Sequence, residues 1–332
     1  LVKASTAAAT LGSMPCGGAI CTRYFRSSNN DGSSARARIM ADRTRSSAPV
    51  RVDLAGGWTD VGPYPRDFGG EVVNFAINKR VRAISGADPT LESVELEFEI
   101  PRGAGLGSSS AMNVAIAGLL SKSSNDSIDQ EEIAEMAFKM ESENGLMCGR
   151  QDHWASARGG FNHLLFIGDS VEVLPFEPAR SAKMWLHRHL LLAFCGQKRD
   201  SRDMQEKVWS RYLEGDESVI GGLNIIRTTA RQMATGIQQD RRDMVVSSMR
   251  EVCRGVDMID PSIHDPFRAV LDPIVAQGSL TAWKALGAGG GGCSALLCSP
   301  NSRDKVRSMV EDADWQVIEW DYEDSGIEVT SE

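Results

Sequence analysis

A glycine- and serine-rich segment at residues 101–111 constrains the fold most, because a strand pattern precedes it and a helix pattern follows it. From Val94 to Ile100 apolar residues alternate strictly with glutamates, which predicts a half-buried strand with one face in water. From Met112 to Leu120 apolar residues recur at helical spacing, which predicts a helix that begins at the serines. The segment is therefore expected to be a loop between a strand and a helix.

The glycines of this loop are typical of an anion-binding turn. Gly103, Gly105 and Gly107 allow tight turning that exposes backbone N–H groups, and the helix that follows adds a favourable dipole. The loop is not a Walker loop, because no lysine follows its last glycine, and it is not a dinucleotide fingerprint, because position 108 is serine. A phosphate-binding loop is the favoured interpretation, and an ordinary glycine-rich turn is the alternative.

A second glycine run, at residues 287–292, satisfies G-x-G-x-x-G through Gly287, Gly289 and Gly292. A dinucleotide-binding fold needs a strand, the glycines and a helix in that order, near the start of a βαβ unit. Here the glycines lie late in the chain, and a strand-like apolar run, Ala295–Cys298, follows them. The sequence therefore disfavours a dinucleotide-binding fold.

The remaining patterns predict an α+β fold with two domains. Further strands are expected near residues 50–54, 73–77, 161–166, 171–174, 189–194 and 315–320. Further helices are expected near residues 130–143, 201–213, 217–236, 240–256, 264–276 and 302–311. This mixture with antiparallel meanders favours α+β over a doubly wound sheet. A chain of 332 residues, 42% of them apolar, can fill two cores.

Charge and cysteine usage exclude several classes of function. Residues 1–48 carry seven Lys or Arg against two acids, a net +5, so the overall −9 leaves −14 on the remainder and disfavours a nucleic-acid partner. Seven scattered cysteines without metal-ligand spacing predict reduced thiols and a cytoplasmic location. No apolar run approaches the roughly 20 residues of a membrane span, so no membrane partner is expected.

Residues 1–47 are rich in Ser, Ala and Arg without sustained periodicity, which predicts a disordered N-terminal extension. A transit-like segment is one alternative. Another is that the residues ahead of Met40 are an upstream extension of the true reading frame. No function is assigned to this region.

Three segments together resemble the motifs of the GHMP kinase superfamily. Pro101–Ala111 resembles the second motif, P-x-x-x-G-L-G-S-S-S/A at the start of a helix, while Pro49–Asp60 resembles the first and Gly287–Cys293 the third. The resemblance covers residues 49–325. It implies a phosphotransferase with an alcohol group as acceptor that uses ATP and Mg²⁺.

The same resemblance implies an architecture. The N-terminal domain, residues 48–190, would have the ribosomal protein S5 domain 2-like fold of the GHMP kinases, and the C-terminal domain, residues 191–332, would be ferredoxin-like. ATP and a sugar substrate would meet in the cleft between the two domains.

The resemblance also implies roles for individual residues. Asp152 would be the catalytic carboxylate that accepts the proton of the sugar hydroxyl, and Arg51 the cation that holds Asp152 ionised. Glu141, eleven positions before Asp152, would bind Mg²⁺ together with the Ser109 hydroxyl. Taken singly, these residues have ordinary alternatives, namely a turn aspartate, a paired strand arginine and a solvated helix glutamate. The ATP phosphates would be bound by Pro101, Gly103, Gly105, Leu106, Gly107, Ser108, Ser109 and Ser110.

The implied sugar contacts belong to the first and third motifs, and they are Trp58, Thr59, Asp60, Gly289 and Gly290. Residues 56–60 and 149–162 resemble the fucokinase and D-glycero-D-manno-heptose 7-phosphate kinase branch. That branch implies transfer of the γ-phosphoryl group to the anomeric oxygen of a fucose-like sugar or a manno-heptose.

One departure from the family supports an alternative function. The interval between Ala83 and Pro101 is shorter than usual in the family, where it helps to hold the adenine. The alternative is a catalytically weak nucleotide- or sugar-binding regulatory protein with the same fold. A homodimer is left open.

Overall fold

Two antiparallel β-sheets organise the part of the chain that the computed structural model describes, residues 43–85, 94–122, 129–143, 147–196 and 201–331. The first sheet is formed by β1 (Thr44–Ala55), β2 (Gly70–Ser85), β3 (Val94–Phe98), β4 (Phe161–Ile167), β5 (Ser170–Val173) and β10 (Glu328–Ser331). The second is formed by β6 (Leu190–Phe194), β7 (Leu280–Ala285), β8 (Cys293–Cys298) and β9 (Gln316–Ile318). The strand orders are β10-β1-β2-β4-β5, with β3 paired to β2, and β7-β8-β6-β9.

The helices lie between these strands along the chain, singly or in runs. In order they are α1 (Tyr64–Asp67), α2 (Ser108–Lys122), α3 (Gln130–Ser142), α4 (Gln151–Arg158), α5 (Arg180–His189), α6 (Ser201–Leu213), α7 (Glu217–Gln238), α8 (Arg242–Ile259), α9 (Asp265–Ala276) and α10 (Arg303–Glu311). A 3₁₀ turn at Pro261–Ile263 joins α8 to α9.

β1 is the strand that positions the polar residues of interest. Helices α2, α4 and α7 all pack against it, and every residue from Ser46 to Ala55 is buried. Arg51 and Asp53 therefore lie inside the protein rather than at its surface. A buried charge is tolerated only when it is paired and hydrogen-bonded, so each of these side chains requires a partner.

The α+β class is confirmed, because every strand pair among the described residues is antiparallel. The predicted helices after residue 201 correspond to α6 through α10. The predicted wet face of the strand after Val94 is also confirmed, since β3 alternates between half-buried apolar residues and exposed glutamates.

The sequence patterns missed α1, α4, α5, β7 and β10. Asp152, taken by itself as a loop residue, lies in the first turn of α4. Helix α5 buries only Ala182 and Leu186, so it has almost no apolar stripe to recognise. β10 is polar and short, and it forms a strand because it pairs with the start of β1.

The strand pairing also bears on the domain limits. β1 begins at Thr44, inside the predicted extension of residues 1–47, because this end of the strand pairs with β10 and β2. Residues 1–42 lie outside the described part of the chain. The second sheet begins at Leu190, and β10 returns the chain to the first sheet. The division at residue 190 stays a prediction.

Among the described residues, none of the helices combines the length and the apolar character needed to cross a membrane.

Candidate active site

The three glycine-containing segments converge on one cavity of about 270 Å³. Its walls are formed by the turn after β1, the loop before α2, the end of α3, the start of α4, one residue of α6 and the loop between β7 and β8. The polar side chains in these walls are Arg51, Asp60, Ser108, Ser109, Ser110, Glu141, Gln151, Asp152 and Gln205.

The glycine and serine loop has the backbone that the sequence predicted. Gly103, Gly105 and Gly107 have φ angles of +76°, +75° and +76°, which lie in the left-handed region that favours glycine. Helix α2 begins at Ser108, and the Ala111 N–H donates to the Gly107 carbonyl at 2.9 Å. The first N–H groups of α2 have no partner within the helix, so this end of the cavity suits an anion.

Arg51 and Asp152 form a two-point ion pair at the cavity. Arg51 Nε donates to Asp152 Oδ1 and Arg51 Nη2 donates to Asp152 Oδ2, both at 2.7 Å. The third donor, Nη1, bonds the Gly105 carbonyl at 2.8 Å. Burial alone would lower the pKa of Arg51, but Asp152, with smaller effects from Asp53 and Asp60, raises it above its ordinary value. The guanidinium therefore links the carboxylate to the glycine loop as a fixed cation.

The second glycine run packs directly on the first. The Cys293 N–H donates to the Ala104 carbonyl at 2.8 Å, and a Cβ atom at Gly105 would lie 2.5 Å from the Leu286 carbonyl oxygen. Residues 286–292 connect the antiparallel strands β7 and β8, so no helix follows these glycines. This placement excludes a dinucleotide fingerprint and makes the run a wall of the same cavity.

Glu141 lies at the C-terminal end of α3 and lines the cavity. Its Oε2 accepts hydrogen bonds from Ser110 Oγ at 2.9 Å and Asn113 Nδ2 at 3.3 Å, and His153 Nε2 lies 2.7 Å away. Burial by itself would raise the pKa of Glu141, but His153 and the hydroxyls of Ser110 and Ser109 lower it below its ordinary value. Glu141 is therefore a carboxylate beside the serines of the predicted phosphate loop.

The donor set at Glu141 fits a magnesium ion that also binds phosphate. Among the residues that the structure describes, no three His, Cys, Asp or Glu side chains are grouped closely enough to hold a metal. Mg²⁺ commonly binds one or two carboxylates and completes its shell with phosphate oxygens and water. An ionised Glu141 next to Ser109 and Ser110 matches that requirement.

Asp60 is buried on another wall of the cavity. Its Oδ2 accepts from the Gln151 N–H at 2.9 Å, and its Oδ1 accepts from Gln151 Nε2 at 3.1 Å. Burial raises the pKa of Asp60 to about 7, and the neighbouring Asp152 and Asp53 add to the rise while the Gln151 N–H opposes it.

Trp58, two residues before Asp60, has a φ of +83°, a conformation that is rare for a bulky residue. Strain of this kind is concentrated at functional sites.

Four of the predicted site residues do not line the cavity: Pro101, Leu106, Thr59 and Gly290. Leu106 is fully buried in the core. Thr59 Oγ1 donates to the Gly56 carbonyl at 2.7 Å, so its hydroxyl holds the turn after β1. The Gly290 N–H donates to the Ile263 carbonyl at 2.9 Å. These residues shape the loops that carry the others.

Sequence reasoning missed several residues at the site. Gln151 and Gln205 line the cavity, and Lys284 Nζ lies 2.5 Å from Asp53 Oδ2 beside it. Lys284 and Asp53 are 231 positions apart. The position of Gln151 next to Asp152 was the one sequence feature that could have indicated it. No sequence pattern marked Gln205 or Lys284.

Comparison with known families agrees with this geometry. The sequence model of the GHMP kinases N terminal domain matches residues 72–160. The chain is 25% identical over 341 residues to a bifunctional fucokinase/GDP-fucose pyrophosphorylase of Arabidopsis thaliana, covering 84% of this chain and 32% of that protein. It is 21% identical over 336 residues to a D-glycero-alpha-D-manno-heptose 7-phosphate kinase of Campylobacter jejuni, covering 85% of this chain and 97% of that protein. The chain thus spans about a third of the first relative and nearly all of the second.

Solved structures show the same fold. A D-glycero-D-manno-heptose 1-phosphate kinase from Bacteriodes thetaiotaomicron superposes with a TM-score of 0.68 at 20% identity, covering 86% of this chain and 98% of that one. A Lactococcus lactis galactokinase complexed with galactose superposes with a TM-score of 0.59 at 14% identity, covering 86% and 95%. The mixed α/β fold described above is therefore the fold of these kinases.

Proposed function

We propose that this chain is an ATP-dependent sugar kinase that transfers the γ-phosphoryl group to a sugar hydroxyl, because residues 72–160 match the sequence model of the GHMP kinases N terminal domain. One observation carries the proposal. The Arg51–Asp152 ion pair lies in a cavity whose other walls are an anion-binding loop and a buried carboxylate, Asp60. This arrangement supports a phosphate site and a site for a sugar hydroxyl on either side of Asp152. The relatives named as fucokinase and heptose 7-phosphate kinase support the same reaction class.

In this proposal the loop before α2 binds the phosphates of ATP. Its left-handed glycines and the free N–H groups at the start of α2 supply hydrogen-bond donors, and the exposed Ser109 adds a hydroxyl. The interval that would lie near the adenine includes residues 86–93, which are outside the described part of the chain. Calorimetric measurement of ATP affinity therefore tests whether the short interval between Ala83 and Pro101 weakens ATP binding.

Asp152 is proposed to accept the proton of the attacking sugar hydroxyl. Its side chain is about a quarter exposed, whereas that of Arg51 is only 2% exposed, so the carboxylate faces the cavity while the guanidinium holds it from behind. Arg51 bonds both oxygens, which fixes the plane of the carboxylate before the substrate arrives. The fixed positive charge also stabilises negative charge on the transferred group.

Glu141, with Ser109 and Ser110, is proposed to hold Mg²⁺. When bound, this ion supplies neutralisation of the phosphate oxygens during transfer. Glu141 is available as an anionic ligand, because the groups around it lower its pKa. His153 and Asn113 keep the carboxylate oriented toward the serines.

The acceptor is proposed to be the anomeric oxygen of a fucose-like sugar or a manno-heptose. The names of the two relatives described above support this choice, and Asp60 supports a sugar more generally, because a carboxylate can accept hydrogen bonds from two hydroxyls. We further propose a cytoplasmic location without nucleic-acid partners. The described cysteines, which are all free thiols, support a reducing compartment.

The test is ADP release in the presence of ATP and Mg²⁺ with L-fucose, D-galactose, D-glycero-D-manno-heptose and its 7-phosphate. Asp152→Asn keeps the shape of the side chain but cannot take a proton, so kcat is expected to fall by about 10²–10⁴-fold with the best sugar. ATP affinity measured by calorimetry should stay close to that of the unchanged protein.

Asp169→Asn is the matched control, because Asp169 is an exposed carboxylate paired with the exposed Arg66. It is expected to keep full turnover. Full turnover by Asp152→Asn would show that the catalytic carboxylate is misassigned. Nucleotide or sugar binding without ADP release from any of these sugars would favour the regulatory alternative.

A further inference from the structure

Gln151 is a buried cavity residue to which the proposed mechanism gives no role. It is the first residue of α4, directly before Asp152, and it is 7% exposed. Its backbone N–H and its Nε2 both donate to Asp60, at 2.9 Å and 3.1 Å. Gln151 thus connects the proposed sugar loop to the helix that carries the proposed catalytic carboxylate.

The hydrogen bond from Nε2 sets the orientation of the Gln151 amide. Nε2 faces Asp60 Oδ1, and the opposite orientation would place two oxygens against each other. The remaining atom, Oε1, is buried and has no hydrogen-bond partner among the described residues. Leaving a buried acceptor unsatisfied is costly, and native proteins almost always provide a partner.

The surroundings of Gln151 favour a partner that enters through the cavity. The residue lines the cavity. A Cβ atom at Gly57 would lie 3.2 Å from Gln151 Nε2 and 2.2 Å from Asp53 Oδ2, so position 57 has no space for a side chain that could supply a donor. A bound molecule can supply that donor.

The chemistry of this wall selects the kind of group that fits. Gln151 Oε1 can only accept hydrogen bonds, and the carboxyl groups of Asp60 and Asp152, which line the same cavity, add further oxygen acceptors. Phosphate and carboxylate groups would bring further acceptors and negative charge to this wall. Hydroxyl groups are donors, so a hydroxyl-rich face of a neutral ring is complementary to it.

We propose that Gln151 Oε1 accepts a hydrogen bond from a sugar hydroxyl other than the one that is phosphorylated. Gln151 is then a specificity-determining residue, and the part of the substrate that contacts Gln151 and Asp60 carries free hydroxyls. The inference rests on the proposed sugar kinase function.

The experiment compares the best free sugar of the panel above with its monodeoxy analogues, each lacking one non-reacting hydroxyl. In the unchanged protein, removal of one hydroxyl is expected to lower kcat/KM by about 5- to 100-fold, as expected when a buried acceptor loses its donor. In Gln151→Met, which keeps the length of the side chain but removes its oxygen, the same analogue should lose less than about threefold relative to the parent sugar. The other analogues should behave alike in both proteins.

Two variants control this comparison. Gln151→Glu keeps acceptor oxygens at the same length, so it should retain the penalty for that analogue even though repulsion from Asp60 lowers its overall kcat/KM. Gln238→Met makes the same change at an exposed position at the end of α7 and should discriminate like the unchanged protein.

Two failures are distinguishable. If a sugar is phosphorylated but no analogue loses its penalty in Gln151→Met, the role of Gln151 is wrong and the kinase function stands. If no sugar of the panel is phosphorylated, the proposed function is wrong and this inference is wrong with it. Folding of each variant is checked by its thermal unfolding midpoint, and if Gln151→Met does not fold, loss of the penalty in Gln151→Glu would overturn the inference.

Discussion

Asp60 shows how closely the charges of the site are balanced at the scale of single residues. Asp53, Asp60 and Asp152 are three carboxylates near one guanidinium, Arg51, which is bonded to Asp152 alone among them. Asp60 is compensated by two neutral hydrogen bonds from Gln151. Burial therefore dominates and raises its pKa to about 7. A carboxyl group that the substrate would contact is thus only partly ionised at neutral pH.

This raised pKa predicts a pH-dependent cost to stability. Between about pH 4 and 7 the folded protein binds more protons at Asp60 than the unfolded chain does, so the free energy of unfolding falls as the pH rises through that window. Asp60→Asn cannot ionise. We expect the thermal unfolding midpoint of Asp60→Asn, minus that of the unchanged protein, to increase as the pH is raised from 5 to 8. Scanning calorimetry measures both midpoints.

Asp216→Asn is the control for this pH series. Hydrogen bonds from Ser218 and Arg211 lower the pKa of Asp216 to about 2, and the side chain lies at the surface, so both proteins should change in parallel between pH 5 and 8. If the unfolding midpoints of Asp60→Asn and the unchanged protein also differ by the same amount at every pH, the raised pKa of Asp60 is contradicted.

The site residues were predictable from the sequence only where a local pattern or the family resemblance marked them. Arg51 alternates with apolar neighbours in a strand, and Asp152 was marked by the resemblance alone. The structure brings the two into contact, while their catalytic roles remain proposals. Gln151 makes its bonds to a residue 91 positions away, and Lys284 to one 231 positions away. No spacing rule in a single sequence encodes such pairings.

At the scale of elements, periodic burial made most strands and helices predictable. Helices α7 and α8 have clear apolar stripes because each buries one face along its length. α4 and β10 escaped recognition for a physical reason. α4 is eight residues long and buried on nearly all sides, and β10 is four residues long, three of them polar, and pairs with β1.

The loop before α2 allows an element-scale prediction, because Gly103 and Gly107 share a φ of +76°. Alanine at either position is strained by roughly 1–2 kcal/mol. Only at Gly107 does the added Cβ meet the proposed catalytic pair, 3.3 Å from Asp152 Oδ2 and 3.5 Å from Arg51 Cγ, whereas at Gly103 it meets nothing within 4 Å. We expect both variants to lose similar stability, but Gly107→Ala to lose at least about tenfold more kcat, measured by ADP release.

Gly103→Ala therefore serves as the control for backbone strain in this comparison. Equal kcat values for the two variants would show that the close approach of the loop to Asp152 has no catalytic consequence. A larger loss of stability in Gly103→Ala would contradict the assigned loop conformation.

At the scale of the whole molecule, a buried ion pair joins the two sheets beside the cavity. Lys284 on β7 and Asp53 on β1 form an ion pair of 2.5 Å, and each side chain is only 4% exposed. Lys284 Nζ also donates to the Asp53 carbonyl at 2.9 Å. The wall at residues 286–292 begins two positions after Lys284, so the pair fixes that wall relative to the turn that carries Asp60.

Breaking this pair is expected to destabilise the whole fold. Lys284→Met leaves Asp53 buried without its cation, close to other carboxylates, and removal of one partner of a buried pair costs about 3–5 kcal/mol. The double variant Asp53→Asn/Lys284→Met leaves no uncompensated charge, so it should recover part of that loss. Arg307→Met breaks a pair of 2.6 Å with Glu319, in which the side chains are 29% and 66% exposed, and should cost no more than about 1 kcal/mol. Urea unfolding of the three variants measures these differences. If Lys284→Met and Arg307→Met unfold with equal free energies, the buried pair does not hold the sheets together, and the cavity wall must depend on the backbone contacts between the two glycine loops instead.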